Sequence, residues 1–200
     1  MNPAAQYLIT QTHSFWHHHY NVSTEENTHL FHVVNSSHLT FHRSADSNGP
    51  IAGMCKFRHF SSDCKIGLSD PEQPSKINWE YLHKQGFIKR TYWFRIQLED
   101  GTKQTYTWKR THSLGTGSEK YKLVEETSLT VVAVFSSSDR AFSQTTGHLD
   151  IYLPLGPRLN LIVLISGLAV VEGERRLTRT TQGGGAAGGG GMLGQDLKFR

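Results

Sequence analysis

Cysteine is nearly absent from this sequence: Cys55 and Cys64 are the only two thiols in 200 residues. Two thiols cannot build a disulfide framework, so a reducing, cytoplasmic setting is expected. Charged residues are also scarce, at 19%, and hydrophobic residues reach only 36%. Both values lie below those of average globular chains and exclude a coiled coil. The net charge is only +4. A nucleic-acid binder concentrates more positive charge on one element, so no nucleic-acid partner is expected. The first twenty residues lack a basic segment followed by a long apolar one, so no secretory signal is read there.

Familiar chemical motifs are missing as well. There is no GxSxG elbow, no phosphate-binding GxxxxGK[ST] and no GxGxxG after a strand. Gly115-Thr-Gly117-Ser118 reads as a turn. Cys55, His59 and Cys64 do not complete a closed zinc site. Glu125 and Glu126 are adjacent, so on a strand they face opposite ways and form no catalytic pair. No cofactor, no metal and no catalytic residue is assigned, and the chain leans away from being an enzyme.

What the sequence does have is histidine and glycine. Eight of twelve histidines fall between His13 and His42, and eight of nineteen glycines lie between 183 and 194. Residues 1–27 read as a polar, His-rich disordered tail, and 179–200 as a Gly-rich one. The folded domain is then 28–178.

Within it, short β-rich runs alternate with turn signals: 29–34, 39–42, 51–60, 77–82, 91–98, 103–110, 121–125, 130–136 and 148–153. These are nine strands of a mainly β sandwich or barrel. Asp100-Gly101 is the clearest hairpin cue. A two-residue loop there pairs Trp93 with Trp108 and Arg95 with Tyr106, the latter as a cation–π contact.

The last element departs from this pattern. Residues 157–177 read as a helix, opened by Gly156 and Pro157. From Leu159 to Val171 it is apolar on every side except for Asn160, Ser166 and Gly167. A bilayer needs about 20 apolar residues, which this run does not reach, so no transmembrane span is expected. The remaining way to bury such a helix is inside the domain's own sheet, with strands wrapped around it.

Cations gather in one stretch. Residues 84–110 carry Lys84, Lys89, Arg90, Arg95, Lys103, Lys109 and Arg110 against Glu99 and Asp100, a local charge of +5. Lys56 and Arg58 alternate on another strand, placing both cations on one face.

Three segments carry a resemblance. They are Tyr106-Thr-Trp108-Lys109-Arg110, then Lys122 to Phe135, then His148-Leu-Asp-Ile-Tyr152 followed by the helix with Ile165-Ser-Gly-Leu-Ala-Val-Val-Glu172. In that order they resemble a fungal branch of the tubby C-terminal-like superfamily, which also holds the LURP-one-related proteins and the phospholipid scramblases. The resemblance spans about 28–178. It implies a closed antiparallel barrel of about twelve strands around a hydrophobic C-terminal helix, three strands more than the direct reading finds.

No segment matches the lipid or calcium sites of that superfamily residue by residue. The leading expectation is a non-enzymatic domain, cytoplasmic or peripheral to a membrane. It would bind an anionic phospholipid head group, or alternatively a protein partner, through Lys56, Arg58, Lys89, Arg90, Lys109 and Arg110. The rivals are an enzyme with its site at the barrel mouth and a purely structural domain.

Overall fold

The computed structural model of the chain describes residues 2–13, 18–58, 63–70, 73, 76–86, 91–98, 101–111, 120–137 and 145–183. Twelve strands close into one antiparallel barrel: β1 (Ala5–His13), β2 (His18–Ser23), β3 (His29–Asn35), β4 (His38–His42), β5 (Ile51–Phe57), β6 (Cys64–Ser69), β7 (Ile77–Gln85), β8 (Thr91–Gln97), β9 (Lys103–Thr111), β10 (Lys120–Glu125), β11 (Val131–Ser137) and β12 (Thr145–Ile151). Each strand pairs with its neighbours in sequence, and β1 pairs with β12 to close the ring. Helix α1 (Gly156–Gly183) fills the inside.

The barrel follows from alternation. On β8, Tyr92, Phe94 and Ile96 are buried, while Trp93, Arg95 and Gln97 alternate with them on the outside. A strand with period two covers one side of a core and leaves the other in water. Inside, every side chain from Leu161 to Glu172 is buried. By length and composition α1 could cross a membrane over Gly156–Thr178. In this fold its apolar faces meet the inner faces of the strands instead, including Trp108, Phe135 and Leu149.

Three expectations change. Residues 1–27 are not a tail, because β1 and β2 lie there. Tyr7 and Ile9 on β1, and Tyr20 and Val22 on β2, alternate inward, with Ile9, Tyr20 and Val22 fully buried. The histidines between them hide this pattern. A third additional strand, β6, raises the nine strands to twelve. The helix runs on to Gly183, and residues 184–200 lie outside the described residues.

The hairpin register is shifted by one residue. Leu98 N–H donates to the Thr102 carbonyl (2.8 Å) and Gly101 N–H to the Leu98 carbonyl (3.0 Å), so the loop holds three residues. Gly101 sits at φ 82°, the left-handed position such a loop requires. The extra residue moves the pairing to Trp93 with Thr107 and Arg95 with Thr105. Tyr92 therefore faces Trp108, and Phe94 stacks on Tyr106 at 5.5 Å. Arg95 Nε donates to Thr105 Oγ1 (3.2 Å) rather than lying over Tyr106.

The β10–β11 turn is held by a carboxylate. Glu125 accepts from Thr127 N–H (2.8 Å) and Ser128 N–H (2.6 Å). Hydrogen bonding from Ser128 and Thr127 outweighs burial and lowers its pKa from 4.5 to about 2. A carboxyl depressed on folding stabilises the native state fully above its unfolded pKa. That contribution fades as pH falls from about 4.5 towards 2. Glu125→Gln is therefore expected to lower the Tm at pH 7 and to flatten its decline between pH 5 and 2, read by thermal melts across that range.

Candidate functional site

The strand cations are segregated. All nine strand lysines and arginines lie on β5–β10: Lys56, Lys65, Lys84, Arg95, Lys103, Lys109, Arg110, Lys120 and Lys122. Strands β11, β12 and β1–β4 carry none. Ladder register separates these nine further. Lys56 faces Lys65, Lys65 faces Tyr81, and Lys109 faces Lys122. Carried around the wall, this parity puts all but Lys84 and Arg110 on the outer face. The two strand carboxylates of β5–β10, Glu80 and Glu125, have inward parity.

Lys56 and Lys65 are direct neighbours across β5 and β6, where like charges repel. Each is drawn over an aromatic ring instead. Lys56 Nζ lies 4.7 Å from the Trp79 ring centroid and Lys65 Nζ 4.9 Å from that of Tyr81. Such contacts at exposed sites are worth about 0.5–1 kcal/mol each. Tyr81, 41% exposed, stacks on His83 at 5.6 Å, and His83 stacks on Trp93 at 4.4 Å. Gly67 makes room for this row. A Cβ there would lie 2.5 Å from Ile77 Cγ2 and 2.9 Å from Trp79 Cε3. Asp63 borders the row, its Oδ2 3.2 Å from His83 Nδ1.

The expected residues fare unequally. Lys56 belongs to the row, and exposed Arg58 follows on the same strand parity. Lys109 is exposed on the outer face of β9, the strand beside Trp93, two residues on from the Thr107 that Trp93 faces. Arg110 has the parity of Trp108 and does not act beside Lys109, because adjacent strand residues face opposite ways. Lys89 and Arg90 lie outside the described residues. Lys84 is structural: its Nζ meets Glu174 Oε1 at 3.0 Å and lies 5.4 Å from the Tyr92 ring centroid. Trp79, Tyr81, Trp93 and Lys65 were not expected. Their signal was the alternation Ile77-Asn-Trp79-Glu-Tyr81-Leu-His83, which sets every ring on one face.

The opposite wall is rich in histidine instead. His19 and His32 stack at 5.2 Å. His29 Nε2 lies 2.7 Å from the Ser44 carbonyl, and His42 Nδ1 lies 2.9 Å from that of Gly49. Burial, reinforced by His19, His42 and His29, holds His32 below the usual histidine range. Among the described residues no group of three His, Cys, Asp or Glu is arranged to hold a metal ion. Cys55 and Cys64 are buried and free.

The two ends of the barrel differ. At the C-terminal end of α1, polar side chains fill the space. Glu172 accepts from Tyr20 Oη (2.7 Å) and from Arg176 Nε (3.0 Å), and Arg176 also reaches Asn35 Oδ1 (2.6 Å) and the Ser36 carbonyl (2.7 Å). Glu174 accepts from Tyr92 and Lys84. Burial and these carboxylates raise the Tyr20 and Tyr92 hydroxyls well above the usual tyrosine range. At the N-terminal end of α1 the space is open, with cavities of about 790 and 550 Å³ beside the helix. No known protein family, curated protein or solved structure matches the chain.

Proposed function

We propose that this protein is a non-enzymatic, tubby-like barrel that docks on anionic phospholipid surfaces through the outer face of β5–β10. The observation that carries this reading is the segregation of outward cations, interleaved with exposed Tyr81 and half-buried Trp79 and Trp93, onto one side of the barrel. Anionic lipid attracts nearby Lys or Arg by about 1 kcal/mol each. Trp and Tyr favour the headgroup level of a bilayer, where one end of the ring is apolar and the other wet. A curved wall bearing both can sit on a membrane without inserting a segment. The twelve-strand barrel around a hydrophobic helix supports the superfamily resemblance; the lipid reading stands on the surface alone.

The test is co-sedimentation of the full chain with phosphatidylcholine vesicles, with and without phosphatidylserine or a phosphoinositide, at about 0.05 and 0.15 M salt. Binding is expected only with anionic lipid and is weaker at the higher salt. The double variant Lys56→Glu, Lys65→Glu is expected to reduce it by about tenfold or more, since two reversed charges change four charge units at the surface. Equal binding to neutral vesicles, or no loss in the double variant, would overturn the reading.

A further inference from the structure

The open end of the barrel is built unlike the rest of the wall. On β7, Asn78 and Glu80 share the inward parity of Leu82 and Lys84, yet both are exposed. Polar side chains directed inside a barrel and still in contact with water mark an unfilled space rather than a packed core. That space is the cavity of about 790 Å³, a volume in the range of small-molecule sites. Its apolar lining includes Leu68, Leu159, Ile162 and Ile165, and its polar groups include Asn78, Glu80 and Arg158. The cavity of about 550 Å³ on the other side of α1 shares Leu68, Asn78 and Arg158 with it. The two therefore meet at the first turn of the helix.

That turn carries positive charge. Arg158 is exposed at the rim, and the first turn has no acidic residue. The opening N–H groups of α1 have no intrahelical acceptor. Pro157 removes one donor, which leaves those of Arg158 and Leu159 near the guanidinium. Glu80 is the opposing charge; partial desolvation at the cavity wall raises its pKa, with Arg158 and Lys103 acting against the rise. The site thus combines the apolar side chains of Leu68, Leu159, Ile162 and Ile165 with a cationic group at its mouth.

We propose that this end of the barrel binds a single-chain amphiphile with a carboxylate head, of the fatty-acid class. The chain lies among Leu68, Leu159, Ile162 and Ile165, and the carboxylate sits at Arg158. The cavity borders the outer face of β5–β10 at Trp79 but includes neither Lys56 nor Lys65, so the two sites can be tested apart.

The experiment is a fluorescence titration of the full chain with cis-parinaric acid, without vesicles. Saturable binding of one probe per chain is expected, displaced by hexadecanoic acid and about tenfold less well by hexadecanol, which lacks the charge. Arg158→Glu, at an exposed position, is expected to weaken the probe by about tenfold with an unchanged melting curve. Ile162→Trp, and Leu159→Trp nearer the rim, are expected to abolish binding by filling the cavity. The double variant Lys56→Glu, Lys65→Glu is expected to bind the probe normally. The proposal is overturned by non-saturable fluorescence, by equal displacement with the alcohol, or by wild-type binding in a folded Arg158→Glu or cavity-filling variant.

Discussion

Replacing Lys84 with methionine is expected to destabilise the barrel by about 3–5 kcal/mol, the usual cost of stranding one member of a buried ion pair. Lys84 and Glu174 join β7 to the end of α1, with side chains only 10% and 6% exposed. Removing the ammonium leaves Glu174 with the Tyr92 hydroxyl as a donor but without its buried counter-charge. For a chain of this length the loss corresponds to a Tm lower by about 6–20 °C. The double change Lys84→Met, Glu174→Met should recover most of it, because neither charge of the pair then remains buried. A cost of about 1 kcal/mol should persist from the Tyr92 hydroxyl, which loses its acceptor. Thermal melts of the two single variants and the double variant give the cycle. Additive losses would show that the pair is not coupled.

Trp108→Ala is expected to cost a similar amount, about 3–5 kcal/mol, by a different route. Trp108 heads the largest fully buried side chains, and its Nε1 donates to Ser166 Oγ at 3.0 Å. Ser166 also donates to the Val163 carbonyl at 3.1 Å, so its hydroxyl keeps a partner when the indole is gone. The loss is therefore mainly the cavity and the missing contacts with α1. Trp108→Phe keeps much of the ring volume and should cost clearly less. Denaturant midpoints at unchanged slope measure both; equal losses for Ala and Phe would assign the cost to the hydrogen bond instead.

Much of this architecture is legible in the sequence, and what is not has identifiable physical causes. The all-round apolar pattern of Leu159–Val171 requires a surrounding wall, and the barrel provides one. The register of β8 and β9 is misread because Asp100-Gly101 accommodates both a two- and a three-residue loop. The Leu98 to Thr102 hydrogen bond and the resulting register select the longer one. Strands β1 and β2 are masked by composition: His18 and His19 make β2 look like a polar tail, although Tyr20 and Val22 alternate correctly. In β6 the pattern Cys64, Ile66, Leu68 is interrupted by Gly67, which sits under Trp79. The outer site is half legible. Lys56 and Arg58 follow from strand parity, whereas Lys65 joins Lys56 only through a ladder between separate strands. The stretch 84–110 is misleading because charge counted along a chain ignores parity, which turns Lys84 and Arg110 inward.

The ring closure of the barrel has a kinetic consequence. Eleven of its twelve ladders join strands adjacent in sequence, and only β1 with β12 pairs residues as distant as Ala5 and Ile151. Hairpins form in microseconds, whereas a contact across so long a loop carries a large entropic cost before it is rewarded. The seam therefore dominates the contact order and is expected to set the folding rate. During synthesis β1 must wait, with one edge unpaired, until β12 has emerged. The apolar helix follows β12 within a few residues and has no interior to enter until the ring can close around it. Seam and helix thus act as one late, cooperative step, and the nascent open sheet before that step is the state most exposed to aggregation.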